Sequence, residues 1–323
     1  MTPVKSLFAP VEDDLAVLVE NLKSLIGARH PVLYQAAEYL FQAGGKRVRP
    51  AIVFLISRAI SGENSVPAKH QRLAEITEMI HTASLFHDDV VDEANLRRGT
   101  PTVNSLFGNR IAIQAGDYLF AQSSWYLANL DNLEVVKLLS EVIKDFAEGE
   151  IQQEMNAFDT KLSFEDYLNK SYYKTASLLA NSAKAVGVLS GKSPIFNQKL
   201  FEYGKSVGLA FQIVDDILDF TSSSEDLGKP ACADLSNGNL TAPTLYAMEE
   251  TPYLRELIER ELKETGDLEE AIALVKNSQG IPKARALAES YAQKAVEQLD
   301  ELPNSESKQA LIELTEYTLK RLY

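Results

Sequence analysis

The segment AKHQRLAEITEMIHTASLFHDDVV, residues Ala68 to Val91, decides how the rest of the chain is read. Its apolar residues Leu73, Ile76, Ile80, Ala83, Phe86 and Val90 recur at three- and four-residue steps, and neither Gly nor Pro interrupts them. Residues so spaced share one face of a 3.6-residue turn, so the segment predicts one long, mostly buried helix. Outward from it the same spacing returns. No proline lies between Thr102 and Ser193, and in that gap Arg110–Leu130, Leu133–Phe158 and Phe164–Val188 all predict helices. Ser163, followed by Phe164, Glu165 and Asp166, has the form of an N-cap with an acidic first turn. Pro194 and Ile195 open a further helix, Asn197 to about Phe220. The run TSSSEDLGKPACADLSNGN, Thr221–Asn239, is rich in turn formers and long enough for a functional loop. The C-terminal third reads as shorter amphipathic helices. Alternating β-branched runs are scarce and no repeat of fixed period is present, so the expectation is an all-α, single-domain helical bundle over residues 1–323.

Composition narrows the function. Of 323 residues 45% are hydrophobic and 24% charged, and 46 acidic against 32 basic side chains give a formal charge of −14. That apolar share, without low-complexity tracts, excludes an intrinsically disordered chain. Uncharged runs such as Tyr118–Leu130, 13 residues, fall short of the roughly 20 apolar residues that a spanning helix needs, so the reading is a soluble protein. A strongly negative field repels nucleic acid, so no nucleic-acid partner is expected, and any anionic ligand must meet a local concentration of Lys and Arg. The one cysteine, Cys232, can form no intrachain disulfide. The opening MTPVKSLFAPVEDDL has neither the basic-then-apolar order of a secretory signal nor the acid-poor character of a transit peptide, so the expected place is the cytoplasm.

Two aspartate triplets carry the chemistry. Asp88, Asp89 and Asp92 stand in HDDVVDE, and Asp215, Asp216 and Asp219 stand in VDDILDF, 127 residues further on. In each, the first and last carboxylates are four residues apart and share a helical face, with Cβ atoms about 5–6 Å apart. Crowded carboxylates repel one another unless cations neutralise them. Hard oxygen ligands of this kind suit Mg²⁺, which keeps several waters and shares its remaining positions with phosphate oxygens. One such triplet is more often a solvated acidic patch; two, each growing out of an apolar helix, are harder to explain that way. Basic residues stand beside them. Gly44, Gly45, Lys46, Arg47 and Arg49, in AGGKRVRP, put three cations next to a Gly pair that admits a ligand close to the backbone. Arg97 and Arg98 follow Asp92, and Lys174 with Thr175, Gln212 just before Asp215, and Lys229 in the long loop complete the set. The planar fork of Arg and the point charge of Lys both suit diphosphate.

Taken together, GGKRVRP (44–50), HDDVVDEANLRRGTPT (87–102), YYKTASL (172–178), FQIVDDILDF (211–220) and GKP (228–230) resemble, in order and spacing, the trans-isoprenyl diphosphate synthases across nearly the whole chain. The resemblance implies an all-helical fold around a central cavity faced by both acidic motifs, a homodimer, and Mg²⁺ as cofactor. It also implies head-to-tail condensation of isopentenyl diphosphate onto an allylic diphosphate, whether dimethylallyl, geranyl, farnesyl or geranylgeranyl. Carried over by motif, Asp88, Asp92 and Asp215 hold Mg²⁺ ions that bridge to the allylic diphosphate, with Asp89, Asp216 and Asp219 behind them or on the path of metal approach. Arg97, Lys174 and Lys229 add fixed positive charge to the leaving diphosphate. Lys46, Arg49 and Arg98, with His81, hold isopentenyl diphosphate in a separate, metal-free pocket. Thr175 and Gln212 offer oxygen dipoles to the allylic cation and, with Lys174, are the candidate catalytic residues. The released diphosphate is the proton acceptor, so no protein base is sought. His87 is read as a buried, hydrogen-bonded residue, and His30 and His70 carry no assignment.

Product length follows from helical geometry within that resemblance. The growing chain runs down the helix that bears Asp88, and Ser84 and Ala83 meet it first; both are small, where bulky aromatics in the family form a floor. Ile80 and Met79 lie deeper. The implied product is long, with nine-unit solanesyl diphosphate favoured because the SLFAPVEDDL opening resembles the cyanobacterial and plastid branch. Peripheral membrane contact for release of so insoluble a product is the remaining expected partner. The competing readings are a geranylgeranyl diphosphate synthase, a non-catalytic partner subunit, which two intact triplets oppose, and a terpene cyclase, which would not need GGKRVRP or Arg98. Two departures from the family pattern stand out: GKPAC replaces the usual GKPAG, and Asn239 stands where a lysine is common. The first makes Cys232 a small packed residue or a redox-sensitive one; the second removes one diphosphate contact.

Overall fold

The computed structural model describes residues 7–42, 45–62, 65–97, 99–222 and 231–322. After a 3₁₀ turn at Ala9–Val11 the first helices are α1 (Glu12–Leu25), α2 (Pro31–Gln42), α3 (Val48–Ser61) and α4 (Ala68–Val91). A two-residue hairpin, β1 (Leu96–Arg97) and β2 (Thr100–Pro101), pairs Leu96 with Pro101 and Arg97 with Thr100. There follow α5 (Val103–Phe107), α6 (Asn109–Ala128), α7 (Leu133–Met155), α8 (Phe164–Ser171), a π-helical turn (Tyr172–Ala176), α9 (Ser177–Leu189) and α10 (Pro194–Thr221). The remainder is α11 (Ala233–Ser236), α12 (Ala242–Glu250), α13 (Pro252–Glu259), α14 (Asp267–Asn277), α15 (Gly280–Glu297) and α16 (Glu306–Lys320). The expected all-α class is the observed one, and among the described residues no helix is long and apolar enough to cross a membrane. The predicted continuous run Phe164–Val188 is instead broken: the Ser177 N–H reaches back five residues to the Tyr172 carbonyl, which defines the π turn.

The chain divides into two compact units. One comprises Met1–Ile143, Leu178–Phe201 and Leu299–Leu314; the other comprises Lys144–Ser177, Glu202–Gln298 and Thr315–Tyr323. In the first unit α4 packs against α3 and α6 and buries Leu73, Ile76, Met79, Ile80, Ala83 and Phe86 completely. Each large apolar side chain so buried contributes roughly 1.5–3 kcal/mol. The polar side of α4 is inside as well. Glu75 accepts from Asn21 Nδ2 at 2.6 Å and lies 2.9 Å from Arg72, and Glu78 is paired with Arg47. A buried carboxylate without such partners would cost several kcal/mol, so these pairs are a condition of burying the whole helix.

In the second unit, Ile213, Val214, Ile217 and Phe220 of α10 form a core with Tyr167, Leu235, Leu240, Leu245 and Leu254. The entry to α8 is fixed as the sequence predicts. The Asp166 N–H donates to Ser163 Oγ at 3.1 Å and the Ser163 N–H donates to Asp166 Oδ2 at 3.3 Å, a reciprocal capping box.

His70, unassigned from sequence, is buried in the first unit with Nδ1 2.6 Å from Ser57 Oγ. Burial pulls its imidazole down from 6.5 to about 4. The unfolded chain therefore takes up this proton near 6.5 and the folded chain only near 4, so the stability the neutral ring contributes is lost as pH falls through that window. Buried Asp216, whose carboxyl is pushed up, acts in the opposite sense, so the comparison must be with a variant. The stability difference between wild type and His70→Gln should shrink by up to about 3 kcal/mol between pH 6.5 and 4, read from urea midpoints. A constant difference across that range would contradict the buried neutral imidazole.

Candidate active site

The first acidic motif forms the last turn of α4. Asp88 is half-buried and Asp92 exposed at the C-cap, where its N–H donates to the Asp88 carbonyl at 2.8 Å. A helix C-terminus carries partial negative charge, so carboxylates gathered there need a cation more than they would elsewhere. Asp89 turns inward instead. It is buried, and Arg97 Nε donates to its Oδ1 at 2.7 Å. Burial pushes the Asp89 carboxyl up while Arg97 pulls it down. Its backbone carbonyl accepts from the Ala94 N–H at 2.9 Å and from Asn104 Nδ2 at 3.2 Å, so the same residue ties the β1–β2 hairpin to the helix end. Arg97, expected on the diphosphate, thus spends its Nε on Asp89.

On the same helix, two turns before Asp88, His81 Nε2 lies 3.1 Å from Arg49 Nη1. The structure therefore brings together these two residues of the expected isopentenyl diphosphate pocket. Their neighbours separate. Lys46 is exposed, whereas Arg47, in a left-handed conformation at the start of α3, turns its guanidinium inward to Glu78 and to the Phe41 carbonyl. Gly44, Arg98 and Lys229 lie outside the described residues. Ala83, about one turn before Asp88, and Ile80 and Met79, more than two turns before it, are fully buried, and half-buried Ser84 donates its hydroxyl to the His81 carbonyl at 2.9 Å. His87 is hydrogen-bonded as expected, 3.2 Å from the Ile113 carbonyl, but half-buried rather than buried. The reason is its place on the flank of α4, edge-on to Phe120 of α6.

The second motif is organised within the other unit. Thr175 Oγ1 donates to Gln212 Oε1 at 2.6 Å, and Gln212 Nε2 donates to Asp216 Oδ1 at 2.8 Å. Tyr167 Oη donates to Asp216 Oδ2 at 2.6 Å. Asp216 is 2% exposed; burial pushes its carboxyl up and the charge of Asp234 adds to that, while the hydrogen bonds of Tyr167 and Gln212 and the charge of Lys170 pull it down. The Gln212 side-chain carbonyl is thus taken by the Thr175 hydroxyl, which keeps its own lone pairs. Asp219 is buried and accepts from the Asp234 N–H at 3.2 Å, whereas Asp215 is partly exposed and lies 2.7 Å from Arg321 Nη1. Lys174 is held by Glu150 at 2.7 Å and by Gln153 at 3.0 Å. Two glycines permit these approaches: a Cβ on Gly149 would come 2.8 Å from Lys174 Cγ, and one on Gly208 would come 2.5 Å from Ala176 Cα.

Cys232 has φ 57°, the left-handed region that favours glycine, which explains why the resemblance leads one to expect Gly there. It is 3% exposed, and burial pushes its thiol up, as does the charge of Asp219, both of which suit a packed residue and oppose a reactive thiolate. Sequence reasoning missed Tyr167, Lys170, Glu150 and Gln153. The only trace was the acid spacing in α7, which is indistinguishable from a solvated helix face.

Among the described residues no three carboxylate, imidazole or thiol groups converge into a ready-made cage. Mg²⁺ takes one or two protein carboxylates and completes its shell with water and phosphate, and Asp88 and Asp92 at a helix C-terminus have the donor chemistry for it. Asp215 is a hard oxygen donor of the same kind, paired here with Arg321.

The fold is that of the helical isoprenoid synthases. A polyprenyl synthase from Caulobacter crescentus CB15, complexed with calcium and isoprenyl diphosphate, superposes with a TM-score of 0.90 at 32% identity, covering 99% of this chain and 98% of that one. The chain is 64% identical over 323 residues, 100% of both sequences, to a prenyl transferase of Synechocystis sp.. It is 53% identical over 322 residues to the chloroplastic solanesyl-diphosphate synthase 2 of Oryza sativa subsp. japonica, covering 99% of this chain and 80% of that one. The polyprenyl synthetase family model matches residues 30–275, and the chain belongs to that family.

The contact at Gly208 sets where Gln212, one turn on, meets Thr175. Gly208→Ala should lower stability by about 1–3 kcal/mol through overpacking against Ala176, more than its gain in helix propensity, and should lower kcat as well. An unchanged melting temperature and kcat would show that the close approach is not what positions Thr175.

Proposed function

We propose that this chain is an all-trans long-chain polyprenyl diphosphate synthase that adds isopentenyl diphosphate repeatedly to an allylic diphosphate and makes solanesyl diphosphate. One observation carries the chain-length part: fully buried Ala83, with half-buried Ser84 beside it, stands one turn below Asp88, so no bulky side chain stops a growing tail there. Identity of 53% to a solanesyl-diphosphate synthase over 99% of the chain supports the same product.

In this reading the whole chain works as one catalytic domain. Asp88, Asp92 and Asp215 would hold Mg²⁺, which when bound would supply Lewis-acid stabilisation of the departing diphosphate. Asp89, Asp216 and Asp219, all buried, fix the geometry behind them. Arg97, Lys174 and Lys229 add positive charge to the leaving group, and their carboxylate partners, Asp89 for Arg97 and Glu150 for Lys174, preorganise the first two. Lys46, Arg49, Arg98 and His81 bind isopentenyl diphosphate. Its alkene attacks the allylic carbon as the C–O bond ionises, Thr175 Oγ faces the cation, and the released diphosphate takes the proton. Met79 and Ile80 form the deeper limit of the tail.

The enzyme acts as a homodimer in the cytoplasm, with peripheral membrane contact for release. Exposed Ile113 and Trp125 on α6, the latter 65% exposed, support a partner-covered face. Purified protein incubated with labelled isopentenyl diphosphate, each allylic primer and Mg²⁺ should yield a nine-unit product by mass analysis, and Ala83→Phe should shorten it by several units. A four-unit product from wild type would favour the geranylgeranyl reading. Equal lengths from wild type and Ala83→Phe would remove the tail path along α4.

A further inference from the structure

Behind the second acidic motif lies a buried ammonium that the mechanism above does not use. Lys170 lies in the last turn of α8, four residues before Lys174, and is only 7% exposed. Its Nζ donates to Asn239 Oδ1, and it lies over the Tyr167 ring with Nζ 5.8 Å from the centroid. Asn239 in turn donates through Nδ2 to Asp234 Oδ1 at 2.9 Å, and its backbone N–H donates to the Asp234 carbonyl at 2.8 Å. Tyr167, beneath the ammonium, is the donor to Asp216. A buried Lys is unfavourable unless anions compensate it, and Asp216 and Asp234 are the two whose charges act on this one.

The two residues in contact are matched in length and charge. Asn239 is short, so its amide can accept from an incoming ammonium on one side and donate to Asp234 on the other. A lysine at 239 would bring a second ammonium to the same place and repel the first. Asn239 is also the position at which the sequence departs from the lysine its motif leads one to expect. We propose that Lys170 is a positioning residue for prenyl transfer, delivering from α8 the cation that balances Asp216 and Asp234 in a chain whose position 239 is a neutral amide. The inference rests on the prenyl-transfer reading. Lys170 acts through Asn239 and Asp216, and so through the Gln212–Thr175 pair and the setting of Asp215; it touches no substrate.

The test is a cycle of Lys170→Met, Asn239→Lys and the double variant, each measured for kcat, for KM of both substrates, and for thermal midpoint without substrate. Lys170→Met should lower kcat/KM for the allylic diphosphate at least about tenfold, by removing one partner of a buried charge set, and leave KM for isopentenyl diphosphate within about twofold. Asn239→Lys alone should lose both activity and thermal midpoint. The double variant, which returns one ammonium from the other side, should recover kcat/KM to within about threefold of wild type. A double variant no better than Lys170→Met, whether through inactivity or failure to fold, would overturn the proposal. So would a Lys170→Met protein whose midpoint falls while kcat and both KM values stay put. If wild type elongates no allylic diphosphate, the prenyl-transfer reading fails by itself. The substrate-free midpoints of the four proteins then still report whether 170 and 239 exchange one charge, because independent sites would give additive shifts.

Discussion

Burial of α4 all round from Leu73 to Ile80 is the constraint that shapes the first acidic motif. A helix with one solvated face could place its acids anywhere along that face. Here Glu75 and Glu78, on what would be the polar side, are enclosed and held by Asn21, Arg72 and Arg47. Only the last turn is left for carboxylates that reach outward, and there the helix dipole works against them. Asp88 and Asp92 are therefore gathered at the helix end where negative charge is least tolerated. The same burial encloses Ala83, Ile80 and Met79, which precede the acids along the helix.

The second motif uses a different device. Its middle acid, Asp216, is inside and is satisfied by Tyr167 and Gln212, so only Asp215 of the leading pair stays accessible, beside Arg321. The π turn at Tyr172–Ala176 is what lets this work. An uninterrupted α-helix from Phe164 to Val188 would rotate Lys174 and Thr175 relative to the residues before them. The turn, packed on Gly208 and Gly149, points Thr175 at Gln212 and Lys174 at Glu150. The break in regular structure lies where two candidate functional side chains sit, a common place for a π-bulge.

Much of this was legible in the sequence, for identifiable reasons. Periodicity of apolar residues predicted α4, α6, α7 and α10 because a buried face imposes a 3.6-residue spacing, and Ser163 marked the start of α8 because its cap is local. The two triplets and the basic clusters, in their order and spacing, pointed to the family that the whole chain matches. What stayed hidden was everything set by contacts between distant segments. Arg47 and Arg49 look equivalent in AGGKRVRP, yet a left-handed turn sends one to Glu78 and the other to His81. The π turn leaves no mark in the spacing of YYKTA. Lys170 reads as an ordinary helix-end lysine until Asn239 is seen to face it.

In the proposed mechanism the carboxylates at the end of α4 bind diphosphate by way of a divalent cation. Calorimetric titration of a non-ionising allylic thiolodiphosphate into the protein, with Mg²⁺ and with chelator, tests it without relying on turnover. Binding should be seen in Mg²⁺, disappear with chelator and fall at least about tenfold in Asp88→Asn, whose thermal midpoint stays near that of wild type. Equal affinity with and without the metal, or an Asp88→Asn protein that binds like wild type, would contradict it.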